Sequence, residues 1–177
     1  MKKTILMICP VSTLSGYGAH SRDIALALIK SNKYDIQILP TPWGSCPTNA
    51  LKFDNPDHKL IIDLLINQVP NYVPDIFVQI TIPNEFQRLG KVNIGITAGI
   101  ETTLIPKDWI IGANKMDLII TTSEHSKKSL CETIYDAIDK NNSKPQKSLQ
   151  ILKPIEVLFE GVDFNTYKKT SVVLPTI

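Results

Sequence analysis

The sequence predicts an α/β fold, a parallel sheet wound with helices on both faces. Three observations carry that prediction. Short apolar runs with little polar alternation recur along the chain, as strands covered on both faces require. Stretches with helical spacing separate most of these runs, and such alternation closes into a parallel sheet through right-handed crossovers. Prolines and glycines punctuate the ends of the runs.

Thr4-Ile5-Leu6-Met7-Ile8-Cys9 is the first strand, and Pro10 ends it because proline has no N–H to give a ladder. Ser15-Gly16-Tyr17-Gly18 follows as a glycine loop, and 19–29 reads as a helix with Ile24, Ala25, Leu28 and Ile29 on one side. Strand, loop and helix start together offer bare backbone N–H groups to a polar or anionic ligand. Residues 34–40 alternate apolar and polar and end at Pro40, a second strand. The stretch 41–57 carries Pro42, Pro47 and Pro56 with little periodicity, so it reads as a long loop. Within it, Trp43 is either a lid packed on the domain or part of a binding face. Helical spacing returns over 58–68, with Leu60, Ile61, Leu64 and Leu65 on one stripe.

Residues 76–82 form a strong strand, 83–90 a connector, and 92–97 the next strand, which runs into Ala98-Gly99-Ile100-Glu101-Thr102-Thr103. A short helix over 107–115 surrounds Trp109, and 117–122 is a further strand. Ser123 caps a helix running to about Ile138, with Ser126 completing only half of a capping box. A solvated loop spans 141–153, and 155–159 is the last strand. In such sheets ligands sit beyond the carboxyl ends of the strands. The loops at 10–18, 41–57, 83–90, 98–106 and 123–125 therefore share the expected rim.

Composition narrows the function classes. The chain has 177 residues, 43% hydrophobic and 20% charged, which suits one globular domain with a real core. A formal charge of +2 gives no concentrated basic face, so no nucleic-acid partner is expected. Cys9, Cys46 and Cys131 are scattered without metal-ligand spacing, so no metal is expected and a reducing cytoplasm is the simplest setting. Met1-Lys2-Lys3 before an apolar run imitates a secretory leader. The run is too short, Pro10 interrupts it, and its removal would delete the first strand. No apolar run reaches membrane-spanning length, so no transmembrane segment is expected.

Gly16-x-Gly18 invites the dinucleotide fingerprint, but Ser21 holds the third glycine position and the loop from Pro10 is too long for that tight turn. No nicotinamide, flavin or other cofactor is expected. The plainer role of both glycines is to let the chain turn into the helix. Ser123-Glu124-His125 sets three catalytic residue types side by side. Neighbours at a helix start point in different directions, so they cannot form a relay among themselves. His125 either lines the rim or is exposed. Glu124 and Glu132 lie two helical turns apart, beside Lys127 and Lys128, and read as a solvated helix side.

Four stretches, in this order and spacing, resemble the N-terminal half of a GT-B glycosyltransferase of the family-four retaining type. They are the first strand with Ser15-Gly16-Tyr17-Gly18 and its helix; Ile105-Pro106-Lys107-Asp108-Trp109; Asp117 through Ser126; and Val157 through Tyr167. The resemblance implies a Rossmann-like doubly wound parallel sheet, one half of a GT-B architecture. Residues 1–163 would be the acceptor-side domain, and 164–177 a linker toward a C-terminal donor domain that the sequence does not contain. In that family the two domains face each other across a cleft, the first holding a sugar or other hydroxyl acceptor and the second the nucleotide-sugar donor.

The resemblance also implies roles for residues. Ser15, Gly16, Tyr17, Gly18, Thr102, Ser123 and His125 would bind substrate, with the glycine loop near the donor's phosphates and sugar. The family often carries a histidine just beyond the strand matching 92–97; here the stretch offers Glu101. Glu101 is the candidate catalytic residue, through a hydrogen bond to a sugar hydroxyl or by orienting the acceptor nucleophile; the alternative is an exposed loop acid. The family's cationic clamp on the diphosphate belongs to the donor domain, so the chain alone is expected to transfer little or no sugar. Glu124 and Glu132 match the family's glutamate spacing but stand in the wrong half. Two other readings remain: a non-catalytic carbohydrate- or nucleotide-binding module acting with a partner chain, and an unrelated Rossmann-like enzyme, since fold does not fix chemistry.

Overall fold

The computed structural model describes residues 2–136, 148–164 and 167–169. Strands β1 (Lys3–Cys9), β2 (Tyr34–Pro40), β3 (Ile76–Ile80), β4 (Val92–Thr97), β5 (Leu118–Thr121) and β6 (Ile155–Val157) form one sheet in the order β2-β1-β3-β4-β5-β6. Every neighbouring pair is parallel. Between them lie α1 (Gly16–Ser31), α2 (Pro56–Ile62), a 3₁₀ turn (Pro83–Glu85), α3 (Lys107–Ala113) and α4 (Glu124–Glu132). This is the α/β, Rossmann-like doubly wound arrangement that the alternating pattern predicts. Among the described residues, no helix is long and apolar enough to cross a membrane.

The unalternated strands are apolar because both sheet faces are covered. Ile5, Met7 and Cys9 of β1 join Ile36, Ile38, Val78, Ile80 and Ile96 on one face, under Ala25 of α1 and Ile61 of α2. Leu6, Ile8, Phe77, Ile119 and Ile155 face the other way, against Phe86, Ile110, Met116 and Leu130. Each such fully buried aliphatic or aromatic side chain stabilises the fold by about 1.5–3 kcal/mol.

Several boundaries differ from the sequence-based expectation, each for a local reason. Helix α1 begins at Gly16, not at residue 19, because the Ser15 hydroxyl accepts the Gly18 N–H at 2.9 Å. The glycine loop is thus the first helical turn. Helix α2 begins at Pro56, where the Asn55 side chain accepts the N–H groups of Asp57 and His58. It stops at Ile62 because the chain then lies along the free edge of β2: the Ile38 N–H donates to Leu64 O and the Ile66 N–H to Ile38 O. Leu64 and Leu65 therefore cover a sheet edge instead of extending a helical stripe. Helix α4 stops at Glu132. Thr133 turns extended, donating its hydroxyl to Ser129 O and accepting the Ile105 N–H. The expected end of that helix near Ile138, residues 141–147 of the expected loop, and 165–166 and 170–177 of the expected linker lie outside the described residues.

Two aspartates fasten the amino ends of the strands. Asp75, just before β3, accepts the Thr4 N–H (3.0 Å) and hydroxyl (3.1 Å) and pairs with Lys91 at 2.7 Å. Asp117, just before β5, accepts the Asn93 backbone N–H (2.9 Å) and side-chain amide (3.1 Å) and pairs with Arg88 at 2.9 Å. The Lys91 contact, aided by Thr4, holds the Asp75 carboxyl at about 2. The Asn93 contacts, aided by Arg88, hold Asp117 at about 2 against the opposing effect of burial. Both folded values lie below that of an unfolded aspartate, about 3.9. These contacts therefore stabilise the fold above about pH 4, and the contribution is lost as pH falls toward 2. Urea midpoints measured by circular dichroism should drop over that interval, and Asp117→Asn should flatten the drop. An unchanged slope in the variant would contradict the assignment.

Candidate functional site

The site is built from the chain between β1 and α1. After Cys9, the Thr13 N–H and hydroxyl both donate to Pro10 O, and the Thr13 and Ser15 hydroxyls lie 2.7 Å apart. Arg22 of α1 reaches back and donates to the carbonyls of Val11 and Thr13, each at 2.9 Å. The turn is thereby held rigid from below. The two glycines then part company. A Cβ on Gly18 would stand 2.3 Å from Thr13 O and 2.9 Å from Pro10 O, so Gly18 is needed for helix–turn packing. A Cβ on Gly16 would meet nothing within 4 Å. Gly16 is exposed and leaves open space beside the first turn of α1.

Tyr17 ties the rim together. Its hydroxyl lies 3.0 Å from Thr97 Oγ1 at the end of β4 and accepts the Ala98 N–H at 3.1 Å. Its ring stacks on Trp43 with centroids 4.1 Å apart and planes 23° from parallel. Trp43 therefore packs on the domain, at the rim itself. Burial raises the Tyr17 pKa above its ordinary value, with Glu101 and Glu85 adding to the rise and the bonds to Thr97 and Ala98 opposing it. Trp43 and Glu85 border an open hollow of about 480 Å³. A second hollow, of about 220 Å³, is lined by Gly16, Tyr17, His20, Ala98 and Glu160.

The candidate residues fall into two groups. Ser15, Gly16, Tyr17 and Gly18 gather at the start of α1, with Gly18 buried and structural. Glu101, Thr102, Ser123 and His125 gather at the start of α4. There His125 Nε2 lies 3.1 Å from Glu101 O. The Thr102 hydroxyl donates to Leu104 O, and Thr102 O accepts the Ser129 hydroxyl. The Ser123 hydroxyl accepts the Ser126 N–H as an N-cap. Glu101 is exposed, and its carboxylate makes no hydrogen bond to a described residue. Residue 98 links the groups, since Ala98 N–H binds Tyr17 while Ala98 O accepts the Ser126 hydroxyl at 2.9 Å. Gly99 sits between them at φ +85°, and a Cβ there would stand 2.3 Å from Ser126 Cβ, so only glycine fits the turn.

Sequence reasoning missed His20 as a site residue. The signal was available, because His20 follows Gly16 by one helical turn and must share its side of α1. Glu160, from beyond β6, approaches His20 Nδ1 at 3.4 Å. No local pattern announces that pairing.

The rim holds hydrogen-bonding groups rather than an activated nucleophile. The Ser15 and Ser123 hydroxyls are committed to helix caps. Burial pushes the Cys9 thiol up to about 12, against weaker opposing bonds from Ser21 and the Val11 backbone, so it stays protonated and inert. Among the described residues, no group of three or more His, Cys, Asp or Glu could hold a metal ion.

Gly18→Ala should destabilise the fold by about 1–3 kcal/mol through overpacking. Gly16→Ala should be neutral or gain up to about 1 kcal/mol from helix propensity. Equal losses at both positions in chemical denaturation would contradict the distinction. Tyr17→Phe should cost about 1 kcal/mol. It should also remove, from a spectrophotometric titration, a tyrosine that ionises above the ordinary range. No family model, curated protein or solved structure matches the chain, so the functional reading stands on the fold and on the geometry of this rim.

Proposed function

We propose that this chain is the acceptor-side domain of a glycosyltransferase, seating a hydroxyl-bearing acceptor opposite a second domain that holds a nucleotide-sugar. The observation that carries the proposal is the open rim beside α1, with Gly16 exposed and Tyr17 anchored to the end of β4. An α-helix leaves its first N–H groups unpaired and places partial positive charge there. The first turn of α1 carries no acidic side chain to neutralise that end. Such a place suits the polar or developing negative oxygens of sugar transfer.

In this scheme Glu101 accepts a hydrogen bond from the acceptor hydroxyl. Support comes from its exposure and from its influence on Tyr17, which marks it as close to the rim. Thr102 and His125 hold the Glu101 loop in place through contacts with backbone carbonyls, and Ser123 caps α4 beneath His125. Residues 1–163 are the acceptor-side domain, and 164–177 lead toward the donor domain. That second domain supplies the cationic clamp for the diphosphate, so the isolated chain binds without turnover. Three free cysteines suit a reducing, cytoplasmic setting. One observation favours a second reading, a non-catalytic carbohydrate- or nucleotide-binding module: the hydroxyls and the imidazole nearest Glu101 are spent on structure.

Saturation-transfer NMR on the 177-residue chain, against glycosides, nucleotide-sugars and NADH, tests the proposal. Transfer to glycoside protons is expected, and Gly16→Val should abolish it while leaving the unfolding midpoint nearly unchanged. Tight NADH binding with no glycoside signal would instead support an unrelated Rossmann-like enzyme.

A further inference from the structure

We infer that His20 and Glu160 form a carboxylate-oriented imidazole that takes a hydroxyl of a neutral, polyhydroxylated ligand in the hollow beside Gly16. This deepens the proposed function and rests on it, assigning the hollow to the acceptor sugar rather than to a donor diphosphate.

The imidazole of His20 is only 10% exposed, and Nδ1 faces Glu160 Oε1 at 3.4 Å. With the ring proton on Nδ1, toward the carboxylate, Nε2 is left with a lone pair. Nε2 is buried and has no hydrogen-bond partner among the described residues. A buried polar atom without a partner is costly and uncommon in a native fold, so it calls for an occupant. The hollow that His20 lines measures about 220 Å³, several times the share of one water, about 30 Å³. It reaches bare backbone at Gly16, where even an added Cβ would touch nothing within 4 Å.

Its polar groups point to one ligand class. The Gly18 and Ala19 amides are bound to Ser15, which leaves those of Gly16 and Tyr17 to donate, whereas Glu160 and Nε2 accept. A ligand that satisfies both sets must donate and accept through the same kind of group, which a hydroxyl does. An anion is disfavoured, because Glu160 lines the hollow and Glu101 and Glu85 lie near enough to act on Tyr17. Nε2 is covered in the free chain, so a hydroxyl reaches it only when the wall of the hollow shifts, and Glu160, 58% exposed, is a side chain of that wall with room to move.

Long-range proton–nitrogen NMR of the His20 ring, in the labelled full chain, tests this with D-glucose and inorganic phosphate as separate probes. His20→Asn assigns the signal. Glucose should move the Nε2 resonance saturably and phosphate should not; Glu160→Gln, at an exposed position, should weaken the glucose effect about tenfold. Glucose binding seen by saturation transfer without any His20 response would overturn the inference and leave the proposed function standing. A response to phosphate alone would overturn the inference in favour of an anion site. A ring that answers neither probe, in a chain that binds no glycoside, would overturn both.

Discussion

The winding of the sheet reverses between β1 and β3, and the rest of the molecule's functional geometry depends on that reversal. From β1 the chain leaves toward α1 on one face; from β3 it leaves through the 3₁₀ turn, and from β4 toward α3, on the other. The two connections diverge and cannot fill the space between them, so a crevice opens beyond the carboxyl ends. Tyr17 bridges that crevice without closing it. Its hydroxyl is fixed at the end of β4 and its ring carries Trp43 from the loop after β2. One side chain thus sets the spacing of three strand ends.

The two ends of the sheet are built for different tasks. At the amino end, Asp75 and Asp117 are saturated with partners and tie β1 to β3 and β4 to β5. At the carboxyl end Gly16 is bare, and among the described residues neither the Glu101 carboxylate nor His20 Nε2 has a hydrogen-bond partner. Natural folds depart from full local satisfaction mainly where they bind or react. Here those departures gather on one rim, above a core that is apolar on both faces of the sheet.

Much of this was legible in the sequence. The Thr4–Cys9 run announces a strand buried on both sides, and the alternation of strands and helical stretches fixes the parallel sheet. The residue type at Ser15 already marks a helix start, yet the glycines after it imitate a loop, so α1 reads as starting three residues too late. The opposite roles of Gly16 and Gly18 cannot be read from sequence. They depend on Thr13 and Pro10 folding back against one glycine and not the other. Leu64 and Leu65 carry helical spacing but serve the edge of β2, a tertiary override of a local pattern. The His20–Glu160 pair is the extreme case, since it joins a helix start to the exit of the last strand and only the assembled sheet brings them together.

Location is the decisive quantity, because the proposed site gathers the glycine turn, the Glu101 loop and the His20 imidazole at one rim. Amide chemical-shift mapping of the full chain with D-glucose measures it directly. Perturbations should be confined to residues around Gly16, His20, Ala98 and Glu160, with the strand starts near Asp75 and Asp117 unmoved. Shifts centred instead on those strand starts, or spread evenly over the surface, would contradict a ligand site at the carboxyl end of the sheet.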